Sequence, residues 1–390
     1  MEKDKIDFKN IPVRVNWSKF KGISGTEEYY FTFTPITLEK FEIQLNWIQK
    51  AYLEVLNFLK LEKETSVFRR FFCSDLFNQK KYLEEFEISN FHNNSNSVSI
   101  SFINQPPSFP ARVSLLAYHI NDRKIEKFFE NNTLSIKRNE LIHNWTTGIT
   151  YTETESVYQQ TRKVIEKYIE ILKKKNMSIS KNVIRTWFFI QNIDTNYKEF
   201  VIARREIYAE NGLTEKTHYI ASTGVEGSYY DLKAKVLLDA YSVYGIKEKQ
   251  IKFLSAPEYL SPTYIYGVTF ERGVSINYND RKHIFISGTA SINNKGEILY
   301  SGNIELQIER TLTNIEALLK NENAKLKDIM VFTIYVRDPF DFYIVENKFK
   351  EKFSRTPTII ANANVCRPGW LVEIEAIAII PANNPELPPF

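Results

Sequence analysis

A chain of 390 residues is longer than the roughly 250 to 300 residues at which a single hydrophobic core stops growing, so more than one structural unit is expected. Hydrophobic residues make up 43% and charged residues 25% of the chain, which is typical of globular proteins and excludes a largely disordered one. The net charge of +4 comes from 51 basic and 47 acidic side chains and predicts no nucleic-acid partner. It still allows a few arginines to form a site for a small anionic metabolite.

The sequence predicts a cytoplasmic protein without a metal site. Its first ten residues are rich in charge, which argues against a secretory signal, and no run approaches the roughly 20 apolar residues that span a membrane. The two cysteines, Cys73 and Cys366, are far apart and lack the spacing of metal ligands or of a disulfide framework. We therefore expect no membrane partner, no metal and no organic cofactor.

The predicted elements, in chain order, begin with a helix between Leu38 and Leu61. Then follow a hairpin-like segment NELIHNWTTGITYTE, a helix containing Gln160, the strand NVIRTWFFI, a helix near 197–211 and the strand KVLLDAYSV. A stretch rich in turn-forming residues at 246–265 marks a boundary. After it come the hairpin RKHIFISGTASINNKGEILYSG, a helix containing Gln307, the strand IMVFTIYV, a helix at 342–353 and the strand LVEIEAIAI. The tail PANNPELPPF is expected to be an ordered edge or a frayed end.

The two series of elements repeat one another. A shift of 147 residues places Gln160 on Gln307 and aligns the apolar positions of the two helices without a gap. The pattern predicts an α+β fold with two tandem units, each a mixed sheet with two helices packed on one face. We assign residues 1–90 to an extension packing on the first unit, 91–250 to a first, degenerate unit, and 251–390 to a second unit that carries the main site residues.

The second unit contains a specific series of motifs: the strand HIFISGTASI, then Gly296 and Gly302, the helix containing Gln307, and the closing strand VEIEAIAI. Over about residues 268–380 this series resembles the Rid family, also called YjgF or endoribonuclease L-PSP. The resemblance implies a chorismate-mutase-like fold for each unit, sites built between neighbouring units, and a possible homo-oligomer.

Shorter runs narrow the resemblance: VIRTW at 183–187, Ala203-Arg204, SGTAS at 287–291 and CRPGWLVE at 366–373. Together with the two-unit length, they are similar to the chorismatase branch, whose enzymes remove pyruvate from chorismate. Simple Rid imine hydrolases carry a carboxylate-binding arginine shortly after the proline that opens the segment before the closing strand. Here no arginine occurs between Pro357 and Cys366, and Arg367 would have to substitute from a different position.

Glu373 and Glu375 alternate on the closing strand, so their side chains point to the same face, with Cα atoms about 6.6 Å apart. Two carboxylates this close among apolar neighbours resist joint ionisation, so one pKa is expected to rise and to give a general acid. Taken alone, such a pair more often forms a solvated or ion-paired sheet face. The resemblance assigns the acid to Glu373 and leaves Glu375 a structural role, while the first unit has Leu237 and Asp239 at the corresponding places.

Cys366 is the second catalytic candidate. It has no evident paired histidine, so a role as nucleophile competes with that of a small buried hydrophobic residue. The resemblance implies instead that Cys366, together with Ala290, shapes a ring pocket and steers the product. A cysteine at this place is similar to the subtype that yields 3-hydroxybenzoate.

The other candidates are binding residues. Chorismate carries two carboxylates, so a pocket for it requires fixed positive charge, for which the candidates are Arg185, Arg204, Arg272 and Arg367. Arg185 lies in an apolar strand and needs an anionic partner, which an internal glutamate would supply equally well. Arg204 lies on a helix and by itself would be a surface charge. A run of small residues lies at the end of a strand: Ser287, Gly288, Thr289 and Ala290. Such residues either allow a ligand to approach the backbone closely or simply form a tight strand end. Tyr266 lines the pocket or belongs to the core.

Three functions remain open. The first is chorismatase-like: Glu373 protonates the enolpyruvyl group of chorismate and releases pyruvate with a hydroxybenzoate, 3-hydroxybenzoate being favoured, or with a dihydroxycyclohexadiene carboxylate. The second is hydrolysis of a reactive imine or enamine, against which the missing arginine counts. The third is a non-catalytic Rid scaffold that binds a metabolite or a partner protein.

Overall fold

The computed structural model describes residues 1–91, 98–122 and 124–390, without the side chains of 88–91 and 266. The N-terminal unit consists of β1 (Glu2–Ile6), β2 (Val13–Lys21), β3 (Glu27–Pro35), α1 (Phe41–Leu59), β4 (Ser66–Cys73), α2 (Leu76–Phe91), β5 (Ser99–Asn104) and β6 (Val113–Asn121). The middle unit consists of β7 (Glu126–Glu130), β8 (Thr133–Arg138), β9 (Leu141–Ile149), α3 (Val157–Lys174), α4 (Ile179–Asn182), β10 (Val183–Ile190), α5 (Ile193–Glu210), β11 (Ala221–Glu226) and β12 (Val236–Tyr244). The C-terminal unit consists of β13 (Ile251–Phe253), β14 (Gly273–Asn277), β15 (Arg281–Ala290), α6 (Ile304–Leu319), β16 (Ile329–Val336), α7 (Phe342–Phe353), β17 (Thr358–Asn362) and β18 (Val372–Pro381).

Each unit of the described chain forms one six-stranded mixed sheet, and the strand order is the same in all three. It runs β1-β2-β3-β6-β4-β5, β7-β8-β9-β12-β10-β11 and β13-β14-β15-β18-β16-β17. The last two neighbours of each sheet pair in parallel, and the registered pairs before them are antiparallel. The α+β class and the tandem arrangement predicted from the sequence are therefore confirmed.

The number of units and the first boundary differ from the prediction. Residues 1–90 are not an extension: together with 99–121 they form a complete third unit with its own sheet and two helices. The predicted helix between Leu38 and Leu61 is α1 of that unit. The closing strand β6, VSLLAYHIN, lacks the paired acids by which the C-terminal unit is recognised, so the repeat is hidden at the level of residue identity.

A buried glutamine in the first turn of the first long helix shows how closely the three units correspond. The side-chain amides of Gln44, Gln160 and Gln307 each donate to two backbone carbonyl oxygens and accept from one backbone N–H. In every case one carbonyl and the N–H belong to the segment that enters the closing strand. The glutamine thus ties the start of the helix to that strand, and the 147-residue shift found in the sequence reflects this bond.

The three units close into a ring with approximate threefold symmetry. The edge strand of each unit packs on the next unit: β5 on β9, β11 on β15, and β17 on β3. Isolated bridges such as Val225 with Val365 join each edge to the neighbouring unit. The chain therefore contains three interfaces of the kind that the resemblance places between neighbouring units.

Both faces of each sheet are buried. One face packs against the unit's own helices, as in the separate core formed by β10, β12, α3 and α5. The other face turns inward, where residues of all three units, among them Tyr30, Trp187 and Phe285, form one continuous core. The tail is an ordered edge: Asn279 donates its backbone N–H to the carbonyl of Pro388, and Phe390 is buried.

Candidate functional site

A cavity between the middle and C-terminal units brings together six of the residues singled out in the sequence. It has an empty volume of about 480 Å³. Its predicted lining residues are Arg204, Arg272, Gly288, Ala290, Cys366 and Glu373. Six further lining residues were not predicted: Tyr197, Ser222, Gly224, Phe270, Ile292 and Trp370. Four of these come from outside the recognised motifs, and only the packing of the middle unit on the C-terminal unit, with β11 against β15, brings Tyr197, Ser222 and Gly224 to the site. We call this space the Glu373 cavity.

Glu373 is the acidic group of the cavity. It lies on β18 opposite Tyr335 of β16 and Ala290 of β15, and is 5% exposed. Burial raises the pKa of its carboxyl group to about 8, with Glu375 adding to the rise and Arg185 and Arg272 opposing it. No group in the described part of the chain forms a hydrogen bond with this carboxyl. At neutral pH Glu373 therefore carries a proton that it is free to donate to a bound molecule.

Gly288 provides the space that the Glu373 carboxyl occupies. A Cβ atom at this position would overlap Oε1 and Cδ of Glu373 and crowd Cγ2 of Thr223. The backbone N–H of Gly288 donates to Oγ1 of Thr223 across the interface at 2.9 Å. Glycine is thus required here for close approach of a side chain, and Gly288 also connects the two units.

Arg204 and Arg272 supply positive charge from the two sides of the cavity. Arg204 of α5 is 2% exposed; its Nε donates to Oγ1 of Thr269 at 3.0 Å and its guanidinium lies 4.8 Å from the ring centre of Phe200. Arg272 is also buried and donates from Nε and Nη2 to the carbonyl of Ser261. The expectation that Arg204 would by itself be a surface charge is wrong, because α5 turns this residue toward the next unit. Two guanidinium groups held in a water-poor cavity favour an anionic ligand.

Cys366 forms part of the cavity wall in the loop between β17 and β18. Burial raises the pKa of its thiol to about 12, the nearby Glu373 adds to the rise, and a hydrogen bond with Tyr197 opposes it. Since the thiolate is the nucleophilic form of cysteine, this environment weighs against nucleophilic catalysis. The geometry instead fits the alternative in which Cys366 shapes the pocket.

Arg185 does not line the Glu373 cavity, which corrects its predicted place among the ligand-binding arginines. It lines a second cavity on the axis of the ring, where its Nη2 donates to Oε2 of Glu375 at 2.6 Å. Both side chains are buried, at 1% and 6% exposure. The internal glutamate that the sequence offered as the alternative partner is therefore the one that Arg185 contacts. We call this space the axial cavity.

Three other predicted residues, Arg367, Ser287 and Thr289, are not among the described lining residues of the Glu373 cavity. Arg367 donates from Nη1 to the carbonyl of Gly296 at 2.9 Å. The hydroxyls of Ser287 and Thr289 donate to backbone carbonyls at 2.6 and 2.8 Å, so they fix the end of β15. The backbone of Tyr266 ends a short 3₁₀ helix, and its side chain lies outside the described residues.

The acid of the Glu373 cavity is missing at the other two interfaces. Strand registers place Leu237 of β12 and Ser114 of β6 at the position of Glu373, opposite Phe189 and Phe72. The middle unit keeps the glycine, since Gly148 of β9 corresponds to Gly288, but its N–H donates to Asp239 at 3.0 Å. Among the described residues, the glutamate at this strand position, together with Arg204 and Arg272, therefore occurs at the interface between the middle and C-terminal units.

Two further features, a cluster of metal ligands and a membrane-spanning helix, are absent from the ranges that the structure describes. There, no three or more His, Cys, Asp and Glu side chains are grouped so as to hold a metal ion. In the same ranges, no helix has the length and apolar character needed to cross a membrane.

Comparisons with known proteins identify the C-terminal unit most directly. The family model described as Endoribonuclease L-PSP matches residues 273–380. A RutC family protein of Pyrococcus abyssi is 31% identical over 97 residues, which are 24% of this chain and 76% of the relative. The 3-aminoacrylate deaminase RutC of Acinetobacter baylyi is 24% identical over 97 residues, 24% of this chain and 77% of the relative.

Among solved structures, a chorismatase is 16% identical with a TM-score of 0.60, covering 81% of this chain and 93% of that chain, which shows a shared fold. The match to the RutC family protein shows that this chain belongs to the Rid (RutC, endoribonuclease L-PSP) family, and the chain shares its fold with a chorismatase.

Proposed function

We propose that this protein is an enzyme that removes the enolpyruvyl group of chorismate as pyruvate. The observation that carries the proposal is the buried carboxyl of Glu373, with its pKa raised to about 8, in a cavity that Arg204 and Arg272 also line. A protonated acid and two cations suit a substrate with two carboxylates and an acid-labile enol ether. The shared fold with a chorismatase supports the same choice.

Glu373 would act as the general acid. Its proton is transferred to the methylene carbon of the enolpyruvyl group, and the electron pair of the C=C bond forms the new C–H bond. The resulting oxocarbenium ion is attacked by water, loses a proton to the Glu373 carboxylate, and collapses to pyruvate and a dihydroxycyclohexadiene carboxylate. If the ring also loses the hydrogen at C3 and the hydroxyl at C4 as water, it becomes aromatic and the product is 3-hydroxybenzoate; the water released then balances the water that attacks the oxocarbenium ion.

Cys366 and Ala290 would decide between these products, and the support for this role is that both line the cavity. We favour 3-hydroxybenzoate on the similarity of Cys366 to that subtype. The raised pKa of the thiol keeps Cys366 neutral and leaves it the role of a wall residue.

The test is incubation of the purified protein with chorismate, with pyruvate measured by a coupled dehydrogenase and the aromatic products by mass spectrometry. Glu373→Gln keeps the shape of the protonated acid and removes its proton, so pyruvate release should fall by about 100-fold or more. Glu305→Gln, an exposed glutamate on α6, serves as the matched control and should keep full activity. Intact chorismate with the wild type, or full pyruvate release by Glu373→Gln, would refute the proposal.

Hydrolysis of an imine or enamine is the second candidate, and the relatives named as deaminases favour it. Two observations weaken it: no arginine occurs between Pro357 and Cys366, and the Arg367 guanidinium contacts the carbonyl of Gly296 and does not line the cavity. Release of ammonia from freshly generated 3-aminoacrylate, without pyruvate release from chorismate, would select this function. Thermal stabilisation by chorismate without turnover would select a binding protein.

A further inference from the structure

Glu375, the neighbour of Glu373 on β18, is held by four donors in the axial cavity. Its side chain leaves the sheet on the same face as Glu373, with Cα atoms about 6.6 Å apart. The donors come from three strands: Arg185, Trp187, Thr223 and Tyr335. All of these contacts are donated to the carboxyl group, and one of them is a buried ion pair with the guanidinium of Arg185 at 2.6 Å. A fixed negative charge therefore lies next to the candidate acid.

The charged and titratable groups around Glu373 come from every element packed against it. They are Glu375 on its own strand, Arg185 on β10, Arg272 before β14, Arg204 on α5, Cys366 in the loop before β18, and Tyr335 on β16. Burial keeps the pKa of Tyr335 well above its usual range, so its phenol is neutral like the thiol of Cys366. The charges that act on Glu373 are then the guanidinium groups of Arg185 and Arg272 and the carboxylate of Glu375. Without that carboxylate, the two cations would favour loss of the proton.

We propose that Glu375, paired with Arg185, is a positioning residue that holds the proton on Glu373. The inference rests on the proposed role of Glu373 as the acid. The negative charge of Glu375 offsets the positive charge of the arginines. The cavity can therefore attract an anionic substrate while Glu373, the acid that must react with it, keeps its proton. Arg185 in turn fixes Glu375 in the axial cavity, outside the space for substrate.

The middle unit offers a matched control for the structural part of this pairing. Asp239 occupies the place of Glu375 and pairs with Arg70 at 2.9 Å, both side chains being buried. Leu237 stands there in place of Glu373. Breaking either pair leaves a buried arginine without its carboxylate and costs stability. Only the loss of Glu375 is expected to change the titration of Glu373.

The experiment measures the protonation of Glu373 directly, by infrared difference spectroscopy of its carboxylic acid C=O band in the full chain. The band is assigned by its absence in Glu373→Gln, and its loss is followed as pH rises. Glu375→Gln should move the midpoint down by about one pH unit or more. Asp239→Asn should leave the midpoint unchanged. Tyr335→Phe removes one hydrogen-bond donor and keeps the charge of Glu375, so it should not lower the midpoint. This variant takes the place of Glu375→Gln in the test if Glu375→Gln fails to fold.

An unchanged midpoint in Glu375→Gln, an equal downward shift in Asp239→Asn, or a downward shift in Tyr335→Phe would overturn the proposal. The readout does not depend on turnover, so it also separates the two hypotheses. If the wild-type band titrates as described while chorismate stays intact, the proposed function fails and the positioning role of Glu375 stands. If turnover is observed, the alkaline limb of kcat should move down together with the midpoint, whereas KM alone would change if Glu375 only shaped the cavity.

Discussion

The variant Glu373→Gln is expected to be more stable than the wild type, by an amount that grows as the pH rises. In the folded chain the carboxyl keeps its proton up to a pKa of about 8, whereas in the unfolded chain it loses the proton near its usual value of 4.5. Between these two values the folded state binds one proton more than the unfolded state, so stability falls by about 1.4 kcal/mol for each pH unit. The stability that the neutral carboxyl allows is fully present below pH 4.5 and is lost progressively up to pH 8. Glutamine is uncharged in the folded and in the unfolded chain, so the unfolding free energy of the variant does not fall in this way with pH.

The difference in unfolding free energy between Glu373→Gln and the wild type should therefore grow by about 3 kcal/mol between pH 5 and pH 7.5. Urea unfolding followed by tryptophan fluorescence at several pH values measures it, provided that the transition remains cooperative. Glu305→Gln, exposed on α6, corrects for general effects of removing a charge. If the curves of Glu373→Gln and the wild type run parallel with pH, Glu373 does not hold a proton in the folded protein, and the reasoning about the acid is wrong.

Three further changes test the site. Gly288→Ala should cost about 1–3 kcal/mol and reduce pyruvate release by at least about 10-fold, because the added methyl overlaps the Glu373 carboxyl. Gly224→Ala, where the new Cβ would make only ordinary contacts, is its control for stability, and equal losses of unfolding free energy in the two variants would contradict this account. Gln307→Leu removes three hydrogen bonds to backbone groups and should lower the unfolding free energy by about 2 kcal/mol or more, as measured by urea unfolding. An unchanged urea midpoint would show that the amide does not hold the closing strand. Cys366→Ala should keep pyruvate release and change the ratio of aromatic products in mass spectrometry, whereas a loss as large as that of Glu373→Gln would point to a nucleophile.

The C-terminal unit could be predicted well because its signals are local. Alternating apolar residues mark β15 and β18, a run of β-branched and aromatic residues marks β16, and the helical period with Gln307 marks α6. The alternation also places Glu373 and Glu375 on one face, and burial of that face explains why one acid is perturbed. The N-terminal unit could not be recognised from the sequence, because many different apolar residues can form the same sheet and two helices. Its closing strand also has Ser114 where the recognised motif has an acid.

The place of each arginine could not be predicted, since it depends on contacts between units. Arg185 and Arg204 are both separated by more than sixty residues from the groups that they contact across the interface, Glu375 and Thr269. No local pattern distinguishes an arginine that faces the axial cavity from one that faces the Glu373 cavity. The same holds for Tyr197, which an unremarkable helix brings to the thiol of Cys366.

The sequence by itself determined the fold class, the repeat and the candidate acid, because strand and helix periods and the spacing of two glutamates are properties of neighbouring residues. Only the tertiary structure decided that the described chain forms three units, that the Glu373 cavity lies between two of them, and that Arg185 pairs with Glu375 beside it. These features arise where strands far apart in the chain come into contact, and burial between them is what perturbs the acid and fixes the charges.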